Sequence, residues 1–278
     1  MTGHTRLLFL DDSKQNKAPR DGLNGLVAIG GISVAADKAN ELHKVLNDEC
    51  LSKFGIPSHA SFKWSPSKDS WFRTNLSSSE RGEVLKHVLL TAQEYDLFAV
   101  AALCEISFPP FGGATSHEMC ALMMAMERFN WNLSENDTGL VIIDRPAGSK
   151  TDEENYLANC ADIVSTGSDY VKFTKLACPI VSMPFGLSRI LQIADLIVSI
   201  TTAHFAGHPR AAEFFLYVLP FFKIVDGRRG GVSVKMHPHR EYRNLYHWLL
   251  GDDYFVRSGS GFPMPDPKRP YPQSPDTY

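Results

Sequence analysis

The chain has 278 residues and a net charge of −3, with 44% hydrophobic and 21% charged residues. This composition is typical of a globular protein that is long enough to bury a sizeable core. The negative charge counts against a general DNA-binding protein of high affinity, because phosphate neutralisation favours a basic chain. The five scattered cysteines argue against a disulfide framework and a zinc ribbon. We therefore expect a reduced cytoplasmic protein without a signal peptide or a membrane partner.

Short apolar runs and helical periodicity alternate along the chain. The runs predict strands at 6–12, 25–34, 97–106, 139–145 and 170–176. The glycines of the second run do not make a dinucleotide fingerprint, and we interpret them as close backbone packing or a bulge. The periodicity predicts helices at 38–54, with Asp37 as the cap, and then at 77–95, 117–133, 151–167, 186–205, 210–222 and 240–250.

The order of these elements predicts an α/β fold. The first three strands are expected to be antiparallel, and the later strands, which alternate with helices, are expected to be parallel. A single elaborated domain is predicted at 1–258. It would include a helical insertion at 35–96, between strands two and three, and a helical and hairpin extension at 207–258. The Pro- and Ser-rich tail at 259–278 is predicted to be extended or disordered.

Aspartates end two of the predicted strands. Asp11, followed by Asp12, ends the first strand, and Asp144 ends the fourth. In open α/β sheets the carboxyl ends of the strands face the site crevice. The alternative for each position is a simple turn, because Asp is a common turn residue.

Asp195 lies in a long helix that is apolar almost all round. A buried lone carboxylate costs several kcal/mol or becomes neutral. A shared divalent cation removes that problem, whereas the alternative is an ion pair with a nearby Arg or Lys. Steps of four and three along the helix place this aspartate on one narrow polar stripe, which consists of Ser188, Gln192, Asp195, Ser199 and Thr202.

Acids from separate elements that meet at one point suit Mg²⁺ or Mn²⁺, which prefer oxygen ligands. Two such ions about 4 Å apart can clamp the attacking and leaving oxygens of a phosphodiester. The three aspartates, with Asp12 as a further candidate ligand, therefore predict a two-metal site for phosphodiester hydrolysis.

Four segments carry a family resemblance, namely FLDDS, FKWS, VIIDR and LQIADLIVSI. They resemble motifs of a bacterial family called domain of unknown function 3800 (DUF-3800). The first is similar to its Asp-Glu-Ser-Gly opening, the second to its middle Lys-containing motif and the third to its strand-ending Asp. The last, which is the most specific, is similar to its late Leu-Gln-x-Ala-Asp-Leu helix. The resemblance spans roughly residues 7–205.

This family resembles a branch of the RNase H-like superfamily. The resemblance therefore implies an RNase H-like mixed sheet flanked by helices, and acidic two-metal phosphodiester chemistry. On the same basis, Asp11, Asp144 and Asp195 match the superfamily's core acids. Glu118, which opens the helix after the third strand, matches a fourth acid by position only.

The sequence also departs from the family's motifs. Asp12 stands in place of Glu, Lys14 in place of Gly, and Ser61 where many members have an acid. Two hypotheses therefore stay open. One is a metal-dependent nuclease of the kind often linked to mobile elements or phage defence. The other is a non-catalytic module on the same fold that binds nucleic acid or protein, and a phosphatase acting on a small substrate is a weaker third.

Basic and aromatic residues indicate where nucleic acid could bind. Lys63 could contact a phosphate while Trp64 stacks on a base, or the pair could be a solvated Lys beside a packing Trp. Arg228, Arg229 and Lys235 belong to the most basic segment, which could follow a nucleic-acid backbone or form an exposed hairpin. The type of nucleic acid, a homodimer and a partner protein all stay open.

Overall fold

A six-stranded sheet organises the fold. The computed structural model describes residues 3–257 and 260–264. The strands are β1 (Thr5–Gln15), β2 (Leu26–Ala35), β3 (Phe98–Glu105), β4 (Thr138–Asp144), β5 (Val181–Met183) and β6 (Val234–His237). Their spatial order is β5-β4-β1-β2-β3-β6, and β7 (Tyr254–Arg257) pairs separately with β8 (Ser260–Pro263). The remainder of the predicted tail at 259–278 lies outside the described residues.

The strand directions follow the predicted pattern. β2 is antiparallel to both β1 and β3. β4 is parallel to β1, β5 is parallel to β4, and β6 is parallel to β3. The expected mixed sheet, with an antiparallel start and later parallel strands, is therefore confirmed. β4 ends at Asp144, beside Asp11, whereas β1, which was predicted to end at residue 12, continues to Gln15 in its pairing with β2.

Helices cover both faces of the sheet. They are α1 (Ala36–Lys44), α2 (Trp71–Asn75), α3 (Ser78–Ala92), α4 (His117–Asn132), α5 (Lys150–Thr166), α6 (Arg189–Ala206), α7 (Pro209–Val218) and α8 (His239–Leu249). α6 packs on one face of the sheet, with Phe9 and Ile142, and α4 packs on the other face, with Leu8 and Ile143. None of the helices in the described ranges has the length and apolar character needed to cross a bilayer.

The predicted helix at 38–54 is less regular than its periodicity suggested. α1 continues as a π-helical segment, Val45–Leu51, and a 3-10 turn, Ser52–Phe54, before Gly55 ends it in the left-handed region. The cap assignment of Asp37 was wrong, because Ala35 occupies the N-cap position and Asp37 lies in the first turn. An acidic residue is favourable there through the helix dipole, without a capping hydrogen bond.

Two strand interpretations also need correction. The segment 170–176 is not a strand, and apart from one bridge between Leu176 and Gly139 it packs as a loop. Its alternating Val171 and Phe173 are buried in the core on the α4 face, which explains the misleading pattern. The hairpin interpretation of the segment at 226–243 was wrong as well. β6 pairs in parallel with β3, which is distant in the chain, whereas the two strands of a hairpin are antiparallel.

Candidate functional site

The pairing of β1 with β4 brings two of the predicted acids together. Leu10 is the partner of Ile143, so Asp11 and Asp144 follow side by side where β4 ends, at a point inside β1. Side chains alternate along a strand, and therefore Asp11 and Asp12 point to opposite faces. Asp11 is buried on the α6 face, whereas Asp12 is exposed on the α4 face.

A glycine in β2 allows α6 to approach this edge. Gly31 pairs with Leu10, and a Cβ atom placed on it would lie 3.0 Å from the Cβ of Ala194. The same atom would overlap the carbonyl oxygen of Phe9. Close backbone packing, one of the two interpretations of these glycines, is thus confirmed. The close approach carries Asp195, the next residue of α6, towards β1.

The Asp195 carboxylate is 1% exposed and has several donors around it. Its Oδ2 accepts the amide N–H of Trp64 at 2.8 Å, and its Oδ1 lies 3.4 Å from the Ser199 hydroxyl. The Lys63 ammonium lies 3.5 Å from Asp195 Oδ1 and 3.9 Å from Asp11 Oδ2. Lys63 therefore stands between the two buried carboxylates as their counter-ion.

The polar residues of α6 hold the loop that carries this lysine. Arg189 Nη1 donates to the carbonyl of Ala60 at 2.6 Å and to Gln192 Oε1 at 2.9 Å. Gln192 Oε1 also accepts the amide N–H of Phe62 at 3.2 Å. The predicted stripe thus faces a polar backbone segment, and one consequence is the fixed position of Lys63.

Two members of the predicted stripe serve the helix itself. The hydroxyl of Ser188 accepts the amide N–H of Leu191 at 3.3 Å and caps the first turn of α6. The hydroxyl of Thr202 donates to the carbonyl of Val198 at 2.6 Å, within the same helix. Neither hydrogen bond reaches the acids.

A second acidic pair lies on the α4 face. The Lys14 ammonium is 3.5 Å from Asp12 Oδ2 and 3.1 Å from Glu118 Oε2. Tyr156 of α5 lies close to Glu118 as well. A cavity of about 130 Å³ connects the two faces at the strand ends, and its lining includes Asp11, Asp12, Glu118, Asp144, Arg145 and Tyr156.

Burial dominates the electrostatics of the site. It raises the pKa of Asp11 to about 8, together with the charges of Asp195 and Asp144, although Lys63 opposes the rise. Burial also raises the pKa of Asp195 and of Asp144, and Lys63 again lowers both. The pKa of Lys63 is raised, because the three carboxylates outweigh the effect of its own burial. One ammonium is insufficient to keep all three acids ionised.

The donor chemistry of the site fits a divalent cation. Asp11 Oδ2 is buried and has no hydrogen-bond partner, so one carboxylate oxygen remains available. Carboxylate oxygens are the ligands that Mg²⁺ and Mn²⁺ prefer. As the side chains stand, however, no three acidic, imidazole or thiol groups in the described ranges are grouped closely enough for an ion. A cation at Asp11 would have to replace the Lys63 ammonium.

The predicted nucleic-acid contacts do not all lie at the acids. The Trp64 ring packs edge-on against Phe214, with 5.3 Å between the ring centroids, and is half-buried. Lys235 lies on β6, with Arg228 and Arg229 shortly before it in the chain, and β2 and β3 separate β6 from β1. The structure therefore brings Lys63 to the acids, but not these three basic residues.

Lys14 and Tyr156 are the site residues that sequence reasoning missed. Lys14 follows Asp12 by two residues in β1, and this spacing places both side chains on one face. That alternation was a usable signal. Tyr156 gave none, because its position depends on how α5 packs beside α4.

Comparison with known proteins adds no further assignment. No family model, curated protein or solved structure matches the chain. The resemblance to DUF-3800 therefore stays a prediction from the four sequence motifs. The chemistry of the site has to be inferred from its own residues.

Proposed function

We propose that this protein is a divalent-metal-dependent nuclease with an RNase H-like fold. The observation that carries the proposal is that Asp11 lies beside Asp144 where β4 ends and shares the Lys63 ammonium with Asp195. The motif resemblance to DUF-3800 and the mixed sheet support the same assignment. On this proposal the substrate is a nucleic acid, and a role connected with mobile elements or phage defence in a bacterium follows only from the family context.

Each residue of the site has a place in this chemistry. Mg²⁺ or Mn²⁺, held by the three aspartates, would supply Lewis-acid chemistry at the phosphodiester. The Lys63 side chain is 38% exposed and contacts the Phe185 ring, with Nζ 4.5 Å from its centroid. When displaced from the carboxylates, this ammonium can bind a phosphate oxygen. Arg145, which is 54% exposed and follows Asp144, can bind a second phosphate oxygen.

A cleavage assay tests the proposal. Labelled single- and double-stranded DNA, RNA and a DNA–RNA hybrid are incubated with Mg²⁺, Mn²⁺ or EDTA. We expect metal-dependent cleavage that Asp144→Asn abolishes and that the matched control Asp69→Asn, an exposed aspartate away from the site, retains. Cleavage that persists unchanged in Asp144→Asn would contradict the proposal.

A second candidate is a non-catalytic nucleic-acid- or protein-binding module. It is favoured by the two lysines, because Lys63 and Lys14 already neutralise acids that a metal would need. Occupied metal sites raise stability by mass action. Melting temperatures that do not respond to Mg²⁺ or Mn²⁺, together with no cleavage of any substrate, would favour the binding module over the nuclease.

A further inference from the structure

A separate cavity lies beside β6, the strand at one edge of the six-stranded sheet. It has a volume of about 410 Å³ and is formed between α4, β6 and the loop that contains Tyr170. This volume is within the range of about 300–1,000 Å³ that is usual for small-molecule sites. The cavity shares no lining residue with the acidic site. Its main side chains are Phe111, Arg128, Trp131, Tyr170, Lys235 and His237.

The charges around this cavity are not balanced. Arg128 Nη1 donates to Glu127 Oε2 at 2.6 Å, and the other Glu127 oxygen accepts the Ser168 hydroxyl at 2.5 Å. The one carboxylate in the lining is therefore already paired. Among the residues that the structure describes, none accepts a hydrogen bond or forms an ion pair with the Lys235 ammonium. When Lys235 is protonated, the wall thus carries one positive charge that lacks an anion.

Burial at this position is costly for the ammonium. Burial and the like charge of Arg128 together lower the pKa of Lys235 to about 7, against the opposing effect of Glu127. Since desolvated charges are normally paired, an unpaired lysine in a cavity is the expected feature of a site for an anionic group.

Aromatic side chains form the rest of the wall. Trp131 is 50% exposed and Tyr170 is 72% exposed, which is unusual for rings of this size beside a cavity. The Arg128 guanidinium lies 4.7 Å from the Trp131 ring centroid. The Phe111 and His237 rings are stacked at a tilt, with centroids 4.8 Å apart. Exposed ring faces of this kind are suited to stacking on a flat base.

We propose that this cavity binds a nucleoside monophosphate, with the phosphate at Lys235 and the base against Trp131 and Tyr170. A lysine and two exposed rings across one cavity match a ligand with an anionic end and a flat end. A free mononucleotide and the phosphorylated end of a strand share this chemistry. The inference does not depend on the proposed nuclease activity.

Calorimetric titration in EDTA tests the ligand class. AMP, adenosine and inorganic phosphate are the probes, and we expect AMP to bind at least tenfold more tightly than either fragment. AMP that fails to bind at millimolar concentration, or adenosine that binds as tightly as AMP, would overturn the proposal. Asp144→Asn is expected to bind AMP like the wild type, so a failure of the nuclease proposal leaves this result intact.

Variants locate the site. Lys235→Met is expected to weaken AMP binding at least tenfold, and Trp131→Leu at least fivefold. Lys223→Met serves as the matched control, because this lysine lies outside the cavity lining. Melting curves report whether each variant folds. An unchanged AMP affinity in folded Lys235→Met and folded Trp131→Leu would refute the assignment.

An oligonucleotide arm distinguishes the two sources of the ligand. Strands with and without a terminal phosphate are titrated against the wild type and Lys235→Met. A phosphorylated strand that binds more tightly than AMP, and that requires Lys235, assigns the cavity to a strand end. AMP binding with no effect of the terminal phosphate on strand binding assigns it to free mononucleotides. If AMP also fails to bind, the proposal is refuted.

Discussion

The substitution Asp11→Asn removes one negative charge from the acidic site with little change in shape. Asp11 is 2% exposed, and its Oδ1 accepts the amide N–H of Asp12 at 2.7 Å. An asparagine oxygen can accept the same hydrogen bond. The variant therefore isolates the effect of the buried charge, which Lys63 balances only in part.

The structure sets the sign and the size of the effect. The folded-state pKa of Asp11 rises from 3.8 to about 8, so the folded protein retains a proton that the unfolded chain loses above about pH 4. The stability contributed by the protonated carboxyl is complete below pH 4 and is lost as the pH rises to about 8. At about 1.4 kcal/mol for each pKa unit, the upper limit of this loss is about 6 kcal/mol. Because Asp195 ionises in the same cluster, we expect an observed loss of about 2–4 kcal/mol.

Urea unfolding in EDTA, at a series of pH values from about 5 to about 9, measures this loss. We expect the free energy of unfolding of the wild type to fall across the range and that of Asp11→Asn to fall much less. Addition of Mn²⁺ at the upper end should restore wild-type stability, by about 2.7 kcal/mol at a hundredfold excess over Kd. The variant should gain little, because it lacks one of the ligands.

Two results would refute this reasoning. Equal pH dependence in the wild type and Asp11→Asn would mean that Asp11 does not ionise within this range. An equal response to Mn²⁺ would mean that Asp11 is not a metal ligand. Asp69→Asn, which removes an exposed carboxylate, is the control for the loss of one negative charge.

Three further substitutions test how the site is assembled. Lys63→Met leaves two buried carboxylates without their counter-ion. We expect urea unfolding in EDTA to show a loss of about 3–5 kcal/mol in the free energy of unfolding, which Mn²⁺ partly reverses. An unchanged free energy of unfolding would show that the ion pairs are weak. Gly31→Ala should lower the free energy of unfolding by about 1–3 kcal/mol or more, because the new Cβ atom would overlap the Phe9 carbonyl oxygen and crowd Ala194. An unchanged melting temperature would contradict the close packing. Arg189→Met leaves the Ala60 carbonyl without its donor. We expect the free energy of unfolding to fall by about 2 kcal/mol and proteolysis of the loop before Lys63 to become faster. Unaltered proteolysis would show that α6 does not hold the loop.

Much of the secondary structure was predictable because its signals are local. The helix of α4 and the strands β1 to β4 follow periodicities that a short window reveals. Ser77 and Glu80 form a reciprocal capping box at the start of α3. The strands that were missed are those whose pairing is non-local. A three-residue β5 and the parallel β6 leave no distinct pattern, because their partners are far away in sequence.

The sequence by itself determined which carboxylates could meet. Strand-ending aspartates and one aspartate in an apolar helix were visible as residue types at particular positions. Only the tertiary structure decided what surrounds them. Whether Asp11 meets Lys63, and whether Glu118 meets Lys14, depends on how closely α6 and α4 approach the sheet. Charge balance in a buried site is a property of distances between elements, and these distances arise from packing that no local pattern encodes.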